Sequence, residues 1–210
     1  MNSSTQKFQI AGPSGVLEGL IDEPVDIPAQ ALRGTAVIAH PHPLFGGTMD
    51  NKVVQTVARA FVQTGWRAVR FNFRGVGGSA GSYDNGTGEL QDLLAVVAHA
   101  APDGTLALAG FSFGAFVTSH AVAAMTGRDL AKVVLVGTAA SRFEVASVAP
   151  DLHDRTLVLH GEQDDTVPLA DVMNWARPQS LPVTVVPGGG HFFHGQLPLL
   201  RSLVARHLRA

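Results

Sequence analysis

The sequence predicts an α/β fold: a mostly parallel, twisted sheet with helices on both faces and an antiparallel edge built by the N-terminal residues. Six short apolar, β-branched runs recur, at 35–39 (TAVIA), 67–73 (RAVRFNF), 105–109 (TLALA), 133–136 (VVLV), 156–159 (TLVL) and 183–186 (VTVV). Most are continuous rather than alternating, the pattern of strands buried on both faces. Helical patterns separate the runs, and strands that alternate with helices wind into a parallel sheet covered on both sides.

In chain order, two weaker segments near 7–10 and 16–21 are expected to pair as the antiparallel edge. Residues 50–64 (DNKVVQTVARAFVQT) put Val53, Val54, Val57, Phe61 and Val62 on one helical face, and Gly65 stops that helix. Residues 89–100 repeat the pattern with Leu90, Leu93, Leu94 and Val97. Further helices are expected at 115–125 and at 197–208, the last through Leu197, Leu200, Val204 and Leu208. Only 19 residues, 137–155, separate the strand ending at Val136 from the next one, which is room for one short helix but not for a cap domain.

A chain of 210 residues without repeats or low-complexity linkers is expected to form one domain, 1–210, with a large core. Charged residues are only 15%, the net charge is −2, and there is no basic run, so nucleic acid and acidic membrane surfaces are not expected partners. The start, MNSSTQKFQIAGPSG, lacks an apolar signal core, and no apolar run approaches membrane-spanning length. With no cysteine there is no disulfide, no thiolate metal site and no cysteine nucleophile, and the cytoplasm is the expected location.

In sheets of this kind ligands bind beyond the carboxyl ends of the strands, so the residues that follow each apolar run are the informative ones. They read HPHPLFGG, RGVGGSAGSYDNGTGE, GFSFG, GTAASRF, HGEQDD and GGGHFFH. Ser112 stands in GFSFG, a G-x-S-x-G pentapeptide with an apolar run before it and a helix-compatible segment after it, the strand–turn–helix setting in which a nucleophile is displayed. Gly110 and Gly114 keep side chains away where the flanking segments converge. A glycine-flanked turn that merely contains a serine is the alternative, and the partners decide between them. A serine hydroxyl needs an adjacent base to attack at neutral pH. Asp164 or Asp165 in LHGEQDDTVP, and His191 or His194 in VVPGGGHFFH, supply the chain order Ser, Asp, His.

Together, HPHPLFGGTMDNKVV, RFNFRGVGGSAG, GFSFGA, HGEQDDTVP and GGGHFF resemble the α/β-hydrolase superfamily over essentially the whole chain. The resemblance is greatest to small, lidless bacterial hydrolases near the dienelactone-hydrolase branch. It implies a carboxylesterase-like serine hydrolase that cleaves small acyl esters through an acyl-enzyme, with Ser112, Asp164 and His191 as the triad and no cofactor. The family pattern H-G-x-x-D-x-x-V-P selects Asp164, because Val167 and Pro168 then fall into register, and leaves Asp165 as a turn residue or cap. A histidine directly after a glycine-rich turn selects His191 and leaves His194 near the rim. Dienelactone hydrolases use a cysteine nucleophile, which this chain lacks, so the architecture carries over and dienelactone as substrate does not.

Acyl transfer also requires donors for the developing oxyanion. The resemblance assigns one to the N–H of Phe113 and the other to HPHPLFGG, where Pro41 and Pro43 have no N–H to give. His42 and Leu44 remain, and comparison with dienelactone-type relatives selects Leu44. His42, Phe45 and Phe192 are the expected substrate-binding residues, near Phe113 and Phe193 at the mouth of the site. No metal site is expected from His40, His42, His191 and His194, which lack a carboxylate in register; loop-shaping hydrogen bonds suit them better. The loop RGVGGSAG lacks the Gly-Lys-Ser/Thr ending of a P-loop, and its Arg74 is expected to pair structurally. The expected partner is a small acyl substrate, with a homodimer left open. The rival functions are thioester cleavage, acyl transfer or peptide cleavage on the same triad, and a non-catalytic binding protein with a hydrolase fold.

Overall fold

The computed structural model describes residues 3–28 and 31–210. Among these residues eight strands form one sheet: β1 (Ser3–Gly12), β2 (Gly15–Pro24), β3 (Thr35–Ala39), β4 (Arg67–Phe71), β5 (Leu106–Phe111), β6 (Leu130–Val136), β7 (Thr156–Gly161) and β8 (Val183–Val186). Their spatial order is β1-β2-β4-β3-β5-β6-β7-β8. β1 and β2 form an antiparallel hairpin and β2 lies antiparallel to β4, while β4, β3 and β5 to β8 run parallel. The expected N-terminal edge is therefore present, with both of its strands longer than the sequence segments.

Among the described residues five α-helices cover the sheet: α1 (Lys52–Gln63), α2 (Thr87–Ala100), α3 (Phe113–Ala124), α4 (Leu169–Ala176) and α5 (Leu197–Arg209). Alternation along the strands divides the core into two. Val37, Val69, Leu106, Leu108, Val133 and Leu135 pack on the side of α2, α3 and α4. Ala36, Ile38, Ala107, Ala109, Val134 and Val136 face α1 and α5. Because both faces are covered, β3 and β5 are buried along their whole length, which is why they read as unbroken apolar runs. No helix among the described residues is long and apolar enough to cross a membrane.

Between β6 and β7 there is only irregular chain and a short 3-10 turn at Pro150–Arg155, so no lid covers the carboxyl edge of the sheet. At that edge the registers Ala39↔Gly110, Phe111↔Val136, Val136↔Leu159 and Gly161↔Val186 bring the strand ends level. Backbone bonds beyond the strands extend this alignment: Ser112 N–H donates to Val136 O (2.8 Å), Gly137 N–H to Leu159 O (2.9 Å) and Glu162 N–H to Val186 O (3.0 Å). The strand order also reverses at β3, the position in open α/β sheets where loops part and a crevice opens.

Candidate active site

Ser112 occupies the corner between β5 and α3 with φ 57° and ψ −117°, a conformation that non-glycine residues rarely adopt. The corner is tight because the elements it joins nearly touch. A Cβ at Gly110 would collide with the Gly114 carbonyl, and one at Gly114 with the carbonyls of Ala39 and His40. These two glycines thus allow the close approach that strains the serine between them. The strain, about 1–3 kcal/mol for such a residue, is held by the buried strand on one side and the helix on the other.

His191 Nε2 lies 3.0 Å from Ser112 Oγ, and His191 Nδ1 lies 2.7 Å from Asp164 Oδ2. Asp164 is fixed in turn, since its Oδ1 accepts from Thr166 N–H (3.0 Å) and Val167 N–H (2.7 Å). Burial would raise the Asp164 carboxyl, but hydrogen bonds from His191 and the Val167 N–H, together with nearby histidine charge, hold it below the usual carboxylate value. An ionised Asp164 therefore accepts the Nδ1 proton of His191 and leaves Nε2 bare towards the serine. Asp165 is exposed and meets only Thr166 Oγ1 beside it (3.4 Å). His194 is also exposed, with its ring against Phe192. The structure thus brings together Ser112, Asp164 and His191, and does not bring Asp165 or His194 to the serine.

A cavity of about 320 Å³ opens over Ser112 and His191, with His42, Phe45 and Phe192 on its wall. Phe45 is 75% and Phe192 43% exposed, as suits a binding surface without a cover. Phe113 and Phe193 are fully buried and belong to the core instead. Phe113 is the first residue of α3, so its N–H has no acceptor within the helix.

The turn at Pro43–Phe45 holds Leu44, the expected second oxyanion donor. Leu44 N–H donates to His42 Nδ1 (3.2 Å), and the Leu44 side chain is exposed and absent from the cavity wall. His42 itself caps this turn and lines the cavity. Burial, and the positive charge of Arg142, lower the His42 pKa, which keeps Nδ1 free to accept.

Three wall residues escaped the sequence reading: Asn51, Arg142 and Thr166. Asn51 carries a helix-cap signal, and its Oδ1 does accept the Val53 N–H (2.9 Å) at the start of α1. Arg142 lies in GTAASRF, a strand-end loop noted without a role, and its guanidinium sits 6.0 Å from the Phe45 ring centre. Thr166 sits inside the HGEQDDTVP segment, where only the aspartates drew attention. His40 and Arg74 act on the surrounding loops. His40 bridges Pro41 O (2.6 Å) and the Phe73 N–H (3.0 Å), and Arg74 grips the fully buried Asp92 through Nε (2.9 Å) and Nη2 (2.7 Å).

Comparison with known proteins places the chain in a family and a fold. The cutinase family model matches residues 35–176. The uncharacterized protein RP471 of Rickettsia prowazekii is 30% identical over 196 residues, spanning 87% of this chain and 79% of that protein. The Xanthomonas campestris protein XC6422, described as an α/β serine hydrolase without a lid, superposes with a TM-score of 0.87 at 37% identity, over 100% of this chain and 95% of that one. An α/β serine hydrolase homologue from Coxiella burnetii superposes with a TM-score of 0.82 at 42% identity, over 97% of each chain. With most of its length matched by that model and by these two serine-hydrolase structures, the chain belongs to the cutinase family and has the α/β-hydrolase fold.

Proposed function

We propose that the protein is a cytoplasmic, single-domain serine esterase that hydrolyses small acyl esters without a cofactor. The observation that carries this reading is the unbroken line of hydrogen bonds from Asp164 through His191 to a strained Ser112 at the floor of an open cavity.

His191 Nε2 takes the Ser112 proton as Oγ attacks the ester carbonyl, and Asp164 stabilises the imidazolium that forms. The Phe113 N–H and the backbone of the loop at 41–47 receive the oxyanion, each donor contributing about 3 kcal/mol of transition-state stabilisation. Within that loop the Leu44 N–H would first have to leave His42 Nδ1, which favours the His42 N–H as the donor. His191 then protonates the departing alcohol, giving acyl-Ser112. Water attacks the acyl carbonyl as His191 takes its proton, and the acid leaves with the serine restored.

The exposed rings of Phe45 and Phe192 offer apolar surface to an acyl chain but enclose little of it. Each buried methylene is worth about 0.8 kcal/mol, so the gain should end once the chain passes these rings. The test is kcat/KM on p-nitrophenyl esters from roughly two to sixteen carbons, a range that brackets such a cavity. Hydrolysis is expected to favour acetate or butyrate and to decline with length, without a jump at the onset of micelles. A maximum at the long end, or hydrolysis of thioesters or peptides but not esters, would overturn the esterase reading.

A further inference from the structure

A second cavity, of about 510 Å³, lies between the N-terminal hairpin, α1, β4 and α5, and shares no wall residue with the one over Ser112. Three arginines from three elements line it: Arg59 of α1, Arg70 of β4 and Arg201 of α5. One carboxylate, Asp22, is on the wall, and it is already engaged. Its Oδ2 accepts from Arg70 Nε (2.9 Å) and its Oδ1 from Thr5 Oγ1 (2.6 Å).

Arg70 is 8% exposed in its side chain, and its Nη1 donates to Met49 O (2.9 Å) and to Asp50 Oδ1 (3.1 Å), a carboxylate outside this cavity. Its Nη2 has no hydrogen-bond acceptor among the described residues, so a nearly buried guanidinium on the wall keeps one free donor edge. Arg59 makes one weak contact, to Gln55 Oε1 (3.2 Å), and Arg201 makes none among the described residues; neither has an acidic partner there. Two cations without acid partners thus share the wall with a neutralised Arg70–Asp22 pair in a chain whose net charge is −2. Like charges on one wall repel each other, and an anion between them removes that repulsion.

We propose that this cavity is a binding site for a small molecule carrying a phosphate or diphosphate group. A carboxylate has two oxygens and is satisfied by a single guanidinium fork, whereas phosphate oxygens accept from several forks at once. Arginines on three separate elements fit the second case. At about 510 Å³ the cavity has room for the rest of a small molecule beside the anion.

The test uses calorimetric titration of the full chain with inorganic pyrophosphate, and with succinate at matched ionic strength, for the wild type, Arg201→Gln and the double variant Arg59→Gln/Arg201→Gln. Both side chains are exposed, so the variants should melt with the wild type. Pyrophosphate is expected to bind about 10-fold more tightly than succinate and about 10-fold more weakly to the double variant, with the single variant between. Arginine-dependent pelleting with phosphatidic acid vesicles would keep the phosphate site and identify its source as a headgroup; no pelleting identifies a soluble ligand. Equal binding of pyrophosphate and succinate, or a double variant that binds pyrophosphate like the wild type, overturns the proposal.

Discussion

His40 and His191 make an instructive pair. Both follow strands at the same edge of the sheet, both are buried, and both use each ring nitrogen in a hydrogen bond. What differs is the partner. His40 donates from Nδ1 to the Pro41 carbonyl and accepts the Phe73 N–H at Nε2, two backbone groups that neither give up nor take a proton. Burial pushes its pKa down to about 4, against a smaller upward effect of the Pro41 bond, so it is a neutral brace between the loops after β3 and β4. His191 stands between a carboxylate and a hydroxyl beside an open cavity, where a proton can move. Geometry alone would not separate these rings; the chemistry of their partners does.

The comparison breaks most sharply in mutants. Ser112→Ala and His191→Gln should each lower esterase kcat/KM by at least ~10³-fold, with Tm changed by no more than ~3 °C. Asp164→Asn should lower it by ~10²-fold or more by presenting the wrong imidazole tautomer, while Asp165→Asn stays within ~2-fold. The reverse ranking of the two aspartates would move the acid by one residue.

His40→Gln should do the opposite of His191→Gln: a loss of about 1–3 kcal/mol in urea unfolding for each buried partner left unpaired, with kcat of the folded protein within ~3-fold. A larger effect on kcat than on stability would remove the distinction between brace and base. The smallest effect is in the pH dependence of stability. The folded His40 titrates near 4, below the ordinary histidine value of 6.5, so on acidification the unfolded chain takes up its proton first. The His40 contribution is present above 6.5 and is lost as the pH falls towards 4, about 3 kcal/mol over that window. Ionised Asp164 adds to the loss at the acid end, because its carboxyl is also held low. Urea midpoints between pH 7 and 4 should therefore fall more steeply for wild type than for His40→Gln.

Much of the fold was legible because doubly covered strands must be apolar on both sides, and β3 and β8 begin and end where the apolar runs do. α4 was not foreseen: it has eight residues, of which only Val172 and Ala176 are buried, too few to set up a helical period. β1 and β2 extend well beyond their apolar stretches: β1, at the edge of the sheet, is mostly exposed, and β2, between β1 and β4, mixes buried with half-buried positions, so neither reads as one apolar run. At the site, Ser112, Asp164 and His191 could be located because each follows its own strand, and the parallel registers bring those ends level. Arg142 and Asn51 reach the cavity through tertiary packing that no local pattern encodes. The direction of the Leu44 N–H was equally hidden, since a ring two residues away captures it.

The central claim, that Ser112 is a nucleophile activated by His191, is tested most directly by covalent labelling with a fluorophosphonate followed by peptide mapping. The account predicts one phosphonate per chain, on Ser112, with labelling at least ~10²-fold slower in His191→Gln and unchanged in His40→Gln. Labelling at another residue, or an equal rate on Ser112 with and without His191, would contradict it.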